Sequence, residues 1–162
     1  MKIVRLLTAV AGIASVLSAP APDRALGAIG DPELILYRFP GVRDDGGGLN
    51  AGVATSVHCT NFSGTTETIR YVVRNLVSEV LANSTLLIPH LHSRTASTHL
   101  TALYVEQLDL QTGVMTLGTI AIAATSTSII CTAMTIDAAS GASPIGIALR
   151  GIRFNPVPGR QE

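Results

Sequence analysis

The chain has no tryptophan, only six tyrosines and phenylalanines, two cysteines and a single lysine, Lys2. Each shortage narrows what the protein can do. Sugar-binding surfaces stack rings on broad exposed aromatic faces, and Tyr37, Phe39, Phe62, Tyr71, Tyr104 and Phe154 are scattered residues of the kind a core consumes. Carbohydrate recognition, and glycoside hydrolysis with it, is left without a visible platform. From Ala28 onward eight arginines face ten carboxylates, a net charge of −2 with no basic stripe. Nucleic acid and anionic membrane surfaces, which require clustered Lys and Arg, are therefore not expected as partners.

Catalytic and cofactor signatures are also missing. No Gly-x-Ser-x-Gly elbow occurs beyond the first 27 residues, and no Cys-x-x-Cys pair is present. The glycines of Asp44-Asp45-Gly46-Gly47-Gly48 lack the lysine and the strand-to-helix setting of a phosphate loop. The adjacent carboxylates also lack the alternating acidic spacing of a calcium loop, and a mobile surface loop is the expected reading.

The longest hydrophobic run, Leu6 to Ala19, is 14 residues, short of the roughly 20 a bilayer-spanning helix needs. It follows the basic segment Met1-Lys2-Ile3-Val4-Arg5 and ends at Pro20 and Pro22. That order is the pattern of a secretory signal peptide, with an uncleaved membrane anchor as its rival. Ala25-Leu26-Gly27 offers small residues at the cleavage positions. The expectation is a signal peptide over 1–27 and one mature domain over 28–162, secreted or periplasmic, with no membrane insertion after cleavage.

What remains is rich in Thr, Ser, Val, Ile, Ala and Gly, the composition of pleated sheet. Short β-like runs alternate with turn residues. They are Leu34–Phe39, Gly52–Thr60, Glu67–Asn75, Val80–His92, Ser97–Glu106, Val114–Ala124, Thr127–Asp137 and Ile145–Phe154. Pro40-Gly41 closes the first, and 41–51 reads as a flexible loop. Val114–Ala124 and Thr127–Asp137 look like a hairpin around Thr125-Ser126. Ser140–Pro144 reads as a loop, and Pro156 and Pro158 end the pattern. About seven to nine strands imply an all-β antiparallel sandwich of two sheets, Ig-like or another Greek-key arrangement.

Cys59 and Cys131 lie inside strand-like runs of a chain expected to be exported, which predicts one disulfide. The early-strand to late-strand spacing resembles the inter-sheet bridge of immunoglobulin domains. Two features of that family are absent: the core tryptophan, and a tyrosine two residues before the second cysteine, where Ile129 stands.

The sharpest constellation is His90-Leu91-His92, with His99 seven residues on. Strand residues two apart share a face, so His90 and His92 could hold copper or zinc, and a chain reversal could add His99. Glu106 or Asp109 could complete such a site. The competing reading is a polar edge with solvated histidines. Arg70 and Arg74 share a strand face and read as a small anion-attracting patch or a solvated surface. Asn61-Phe62-Ser63 and Asn83-Ser84-Thr85 match glycosylation acceptors. The favoured expectation is a non-catalytic exported sandwich with a structural or interaction role toward a protein or surface partner. The alternative is a metal-binding domain or metalloenzyme.

Overall fold

The computed structural model of the chain describes residues 34–139 and 146–154. The expected leader over 1–27, the Ser140–Pro144 loop, and Pro156 and Pro158 lie outside the described residues. Ten strands form: β1 (Leu34–Asp44), β2 (Val53–Asn61), β3 (Glu67–Asn75), β4 (Val80–Ile88), β5 (Ser93–Ser97), β6 (Gln107–Asp109), β7 (Met115–Ala124), β8 (Ile129–Asp137), β9 (Gly146–Leu149) and β10 (Ile152–Arg153). They make two five-stranded sheets, ordered β10-β1-β7-β3-β4 and β6-β5-β2-β8-β9. All pairings are antiparallel except β5 with β6. The all-β two-sheet sandwich read from the sequence is the fold. The count exceeds seven to nine because β6 and β10, three and two residues long, are too short to show as periodic runs.

Ile69, Tyr71 and Val73 of β3 point inward with Leu36, Phe39 and Val42 of β1 and Ile120 and Ile122 of β7. They meet Val57 and Cys59 of β2 and Ile129, Cys131 and Ala133 of β8 from the other sheet. This face-to-face burial is the main favourable contribution to folding. The hydroxyl of Tyr37 adds a cross-sheet bond to the Ile129 carbonyl at 3.4 Å.

Four expectations are corrected. First, β1 runs past Pro40-Gly41 to Asp44. Gly41, at φ 84°, absorbs a register shift between Pro40 and Val42, so the chain bulges and continues. Pro40 pairs with Thr119 of β7 and sits beyond the two residues that pair with β10. Second, Ser97–Glu106 is not a strand. After Ser97 the chain loops over the outer face of the second sheet, where Leu103, Tyr104 and Met134 pack on Ala54, Ile136 and Ala138. Gln107 holds this loop through its side-chain amide: Nε2 donates to the carbonyls of Thr101 (2.8 Å) and Tyr104 (2.7 Å), and Oε1 accepts from Thr101.

Third, β7 and β8 are consecutive but are not a hairpin. β7 lies between β1 and β3, and β8 lies between β2 and β9 in the opposite sheet, so Thr125–Ser128 carries the chain across the sandwich. The final run divides in the same way at Arg150-Gly151, β9 joining one sheet and β10 the other. Fourth, Val80–His92, readable as one strand or a bent pair with Pro89 at an edge or bulge, is the edge strand β4 to Ile88, and Pro89–His92 forms a turn closed by the His92 N–H on the Pro89 carbonyl at 3.1 Å.

The disulfide joins Cys59 and Cys131 as expected, but not across the sandwich. The two cysteines are directly opposed on neighbouring strands β2 and β8 of one sheet, with Cα atoms 4.1 Å apart. That is close to the separation of a non-hydrogen-bonded antiparallel pair. The spacing shared with immunoglobulin domains therefore does not correspond to a shared position.

Candidate functional site

The three histidines of the expected metal site are separated by the length of β5. His90 and His92 flank Leu91 in the Pro89–His92 turn, both exposed, and His90 Nδ1 accepts the Gly64 N–H at 3.0 Å. His99 lies beyond the other end of β5. Among the described residues no three His, Cys, Asp or Glu side chains gather around a point that could hold a metal ion. Glu106 instead faces Arg94 across the surface at 3.3 Å, and Asp109 accepts the Gln111 N–H.

His99 belongs to a different constellation. Its Nδ1 lies 2.9 Å from Asp44 Oδ1, and its Nε2 lies 2.9 Å from the Ala51 carbonyl. Both neighbouring atoms are hydrogen-bond acceptors, so the ring nitrogens bridge a carboxylate and a backbone carbonyl. Asp44 is 1% exposed and uses both oxygens: Oδ1 also accepts the Gly46 N–H, and Oδ2 accepts the Thr112 hydroxyl at 3.0 Å. The network thus joins the end of β1, the loop to β2, the segment after β5 and the approach to β7. A polar seam continues from it. Thr55 Oγ1 accepts the Arg43 N–H and donates to the Arg43 carbonyl, while Thr98 Oγ1 accepts the Thr55 N–H.

This arrangement corrects the surface-loop reading of Asp44, which is a buried strand residue. Its chemistry is that of a fastener. A nucleophilic triad needs a hydroxyl or thiol on the histidine nitrogen remote from the acid. Here that nitrogen faces a backbone carbonyl, and Thr112 donates to the carboxylate instead. Asp45, beside it, is fully exposed. The Val53 N–H chiefly holds its carboxyl below the usual range against an opposing burial effect, and the Gly47 N–H and nearby His99 act in the same direction as Val53. Gly52, at φ 73°, makes room for this carboxylate, since a Cβ there would collide with it.

The remaining polar groups are dispersed. Burial pushes the His58 imidazole below its ordinary value; its Nδ1 lies 3.0 Å from Thr95 Oγ1, and its ring meets Tyr104 edge-on at 4.7 Å. Partial burial works to raise the Glu67 carboxyl, but hydroxyls of Thr125, Ser63 and Thr65 outweigh it and leave the group lowered. Of the two arginines read as a patch, Arg74 donates to the Ser78 carbonyl at 2.8 Å, closing the β3–β4 turn. Asn61 is fully buried, donating to the carbonyls of Thr65 and Ile88 and accepting the Ser63 N–H; Asn83 is exposed on β4. An open groove of about 420 Å³ runs between Leu86 and Leu87 of β4 and Arg94, Glu106 and Leu108 opposite.

The fastener was not visible in the sequence. Positions 44, 51, 99 and 112 have no common spacing, and one of the four partners is a backbone carbonyl. The nearest signal was the isolated His99, which pointed to a metal only while its neighbours were unknown.

No family model and no curated protein matches the chain. Among solved structures, the crystal structure of Thermotoga maritima 1070 is similar at 10% identity with a TM-score of 0.47, over 74% of this chain and 95% of that one.

Proposed function

We propose that this protein is an exported, non-catalytic β-sandwich module with a structural or binding role, secreted or periplasmic. The observation that supports it most directly is the Cys59–Cys131 disulfide, a bond kept in oxidising compartments and rare in the cytosol. The basic-then-apolar start of the chain points the same way. The closed Asp44–His99–Thr112 network favours a role that depends on a rigid surface over one that depends on chemistry.

The test is to express the full chain in a secretion-competent host and sequence the amino terminus of the exported product. The expected start lies near Ala28, with no free thiol on titration of the unfolded, unreduced protein. Retention in the cytosol, or two free thiols, overturns the reading. The same preparation is analysed for metal after dialysis against copper or zinc. Stoichiometric metal lost on His92→Ala would replace this reading with a metal-binding one through His90 and His92.

A further inference from the structure

We propose that the protein self-associates through β4, two copies adding edge to edge as an antiparallel pair across a two-fold axis at Ser84. The inference rests on the geometry and sequence of one strand and holds wherever the protein acts.

Four strands end the two sheets. β10, β6 and β9 are two, three and four residues long, as is usual for edges protected from further pairing. β4 is nine residues long, contains no charge and no proline, and among the described residues has one strand neighbour, β3. Its ladder to β3 shifts register between Val80 and Ala82, and the regular stretch from Ala82 to Ile88 presents roughly 24 Å of backbone donors and acceptors at ~3.4 Å per residue. Apolar exposure concentrates in the same place. Of the thirteen large hydrophobic side chains left exposed among the described residues, five fall between positions 76 and 91: Leu76, Val77, Val80, Leu87 and Leu91. They belong to β4 and the turns at its two ends.

The sequence of the edge indicates the occupant. Val80-Leu81-Ala82, Asn83-Ser84-Thr85 and Leu86-Leu87-Ile88 are an apolar, a polar and an apolar triplet, symmetric in character about Ser84. An antiparallel pair centred there sets Asn83 opposite Thr85 and Leu81 opposite Leu87, while Ala82 and Ile88 remain in the core of their own copy. On the outward face the exposed Leu87 is covered by Leu81 of the other copy, and exposed amide faces exposed hydroxyl, so the exposed stripe is complementary to itself, as a two-fold interface requires. No like charges are brought together along the strand. One strand pair with its flanking turns is a modest area beside the ~800 Å² per partner of a standard interface, so dilution should reverse the association.

The test is sedimentation equilibrium of the purified protein over a wide concentration range. A mass rising toward twice that of the chain is expected, with amide exchange along Val80–Ile88 slowing as concentration rises. Asn83→Lys/Thr85→Lys places four cations across the axis and should leave a monomer with unchanged circular dichroism. Mixing Asn83→Lys/Thr85→Lys with Asn83→Glu/Thr85→Glu, each monomeric alone, should restore a mixed dimer. A monomer at every concentration overturns the proposal, as does a dimer that the double lysine variant leaves intact. Slow β4 exchange in a monomer also overturns it, because the chain's own remaining segments would then cover the edge. Should the variants misfold, the concentration dependence of β4 exchange in the unaltered protein decides alone.

Discussion

Tyr71 carries a conflict that its neighbours do not. Its ring fills the centre of the sandwich at 0% exposure, and among the described residues its hydroxyl finds no hydrogen-bond partner. A buried polar group left unsatisfied costs about 1–3 kcal/mol, so Tyr71→Phe should raise the unfolding free energy by about 1 kcal/mol in urea titration. Burial also pushes the phenol well above its ordinary value. The unfolded chain then releases this proton near pH 10 while the folded protein keeps it. Stability is full below pH 10 and falls as pH rises above it, and Tyr71→Phe should flatten that fall. His58 has the opposite sign. Its folded value is depressed by burial, so its contribution is full above about pH 6.5 and is lost as pH drops through the folded value. Urea midpoints between pH 7 and 5 should decline in the unaltered protein and decline less in His58→Gln.

Among the elements, β2 and β8 are the best tethered, sharing nine ladder pairs and the disulfide. The bridge closes a loop over a sequence separation of 72 residues, worth about 4 kcal/mol in the chain-entropy account. Reduction, or Cys59→Ala/Cys131→Ala, should lower stability by about that amount while leaving the strand content seen by circular dichroism. These two strands also show what a sequence can disclose about elements. Glu67–Asn75 was bounded correctly as β3 because Ile69, Tyr71 and Val73 alternate with polar residues on a sheet that is wet outside. β7 and β8 read as strands in the sequence but not as members of opposite sheets, since alternation identifies a buried face and is silent about which sheet receives it. Ser97–Glu106 failed for a different reason. Leu103 and Tyr104 are apolar because they cover the outside of a sheet, a role that imitates strand periodicity over a few residues.

At the scale of the whole molecule, Asp44 and His99 hold together segments that are far apart in the chain. Removing one partner of a buried hydrogen-bonded pair leaves the other unsatisfied, so His99→Ala should cost about 2 kcal/mol and lower the thermal midpoint, and Asp44→Ala should behave alike. Adding the two losses would overstate the double variant, because both report one shared network. None of this was legible in advance: a sequence reveals patterns that repeat, and this fastener occurs once. The position of the disulfide carries one more consequence. The 71 residues between the two cysteines include β3 to β7, most of the sandwich's loops and the exposed turns at both ends of β4. A protease that cuts once anywhere in that span leaves two polypeptides still covalently joined. The nicked protein would run as one species on a gel without reductant and as two with it, and such damage would stay hidden until the bond is reduced.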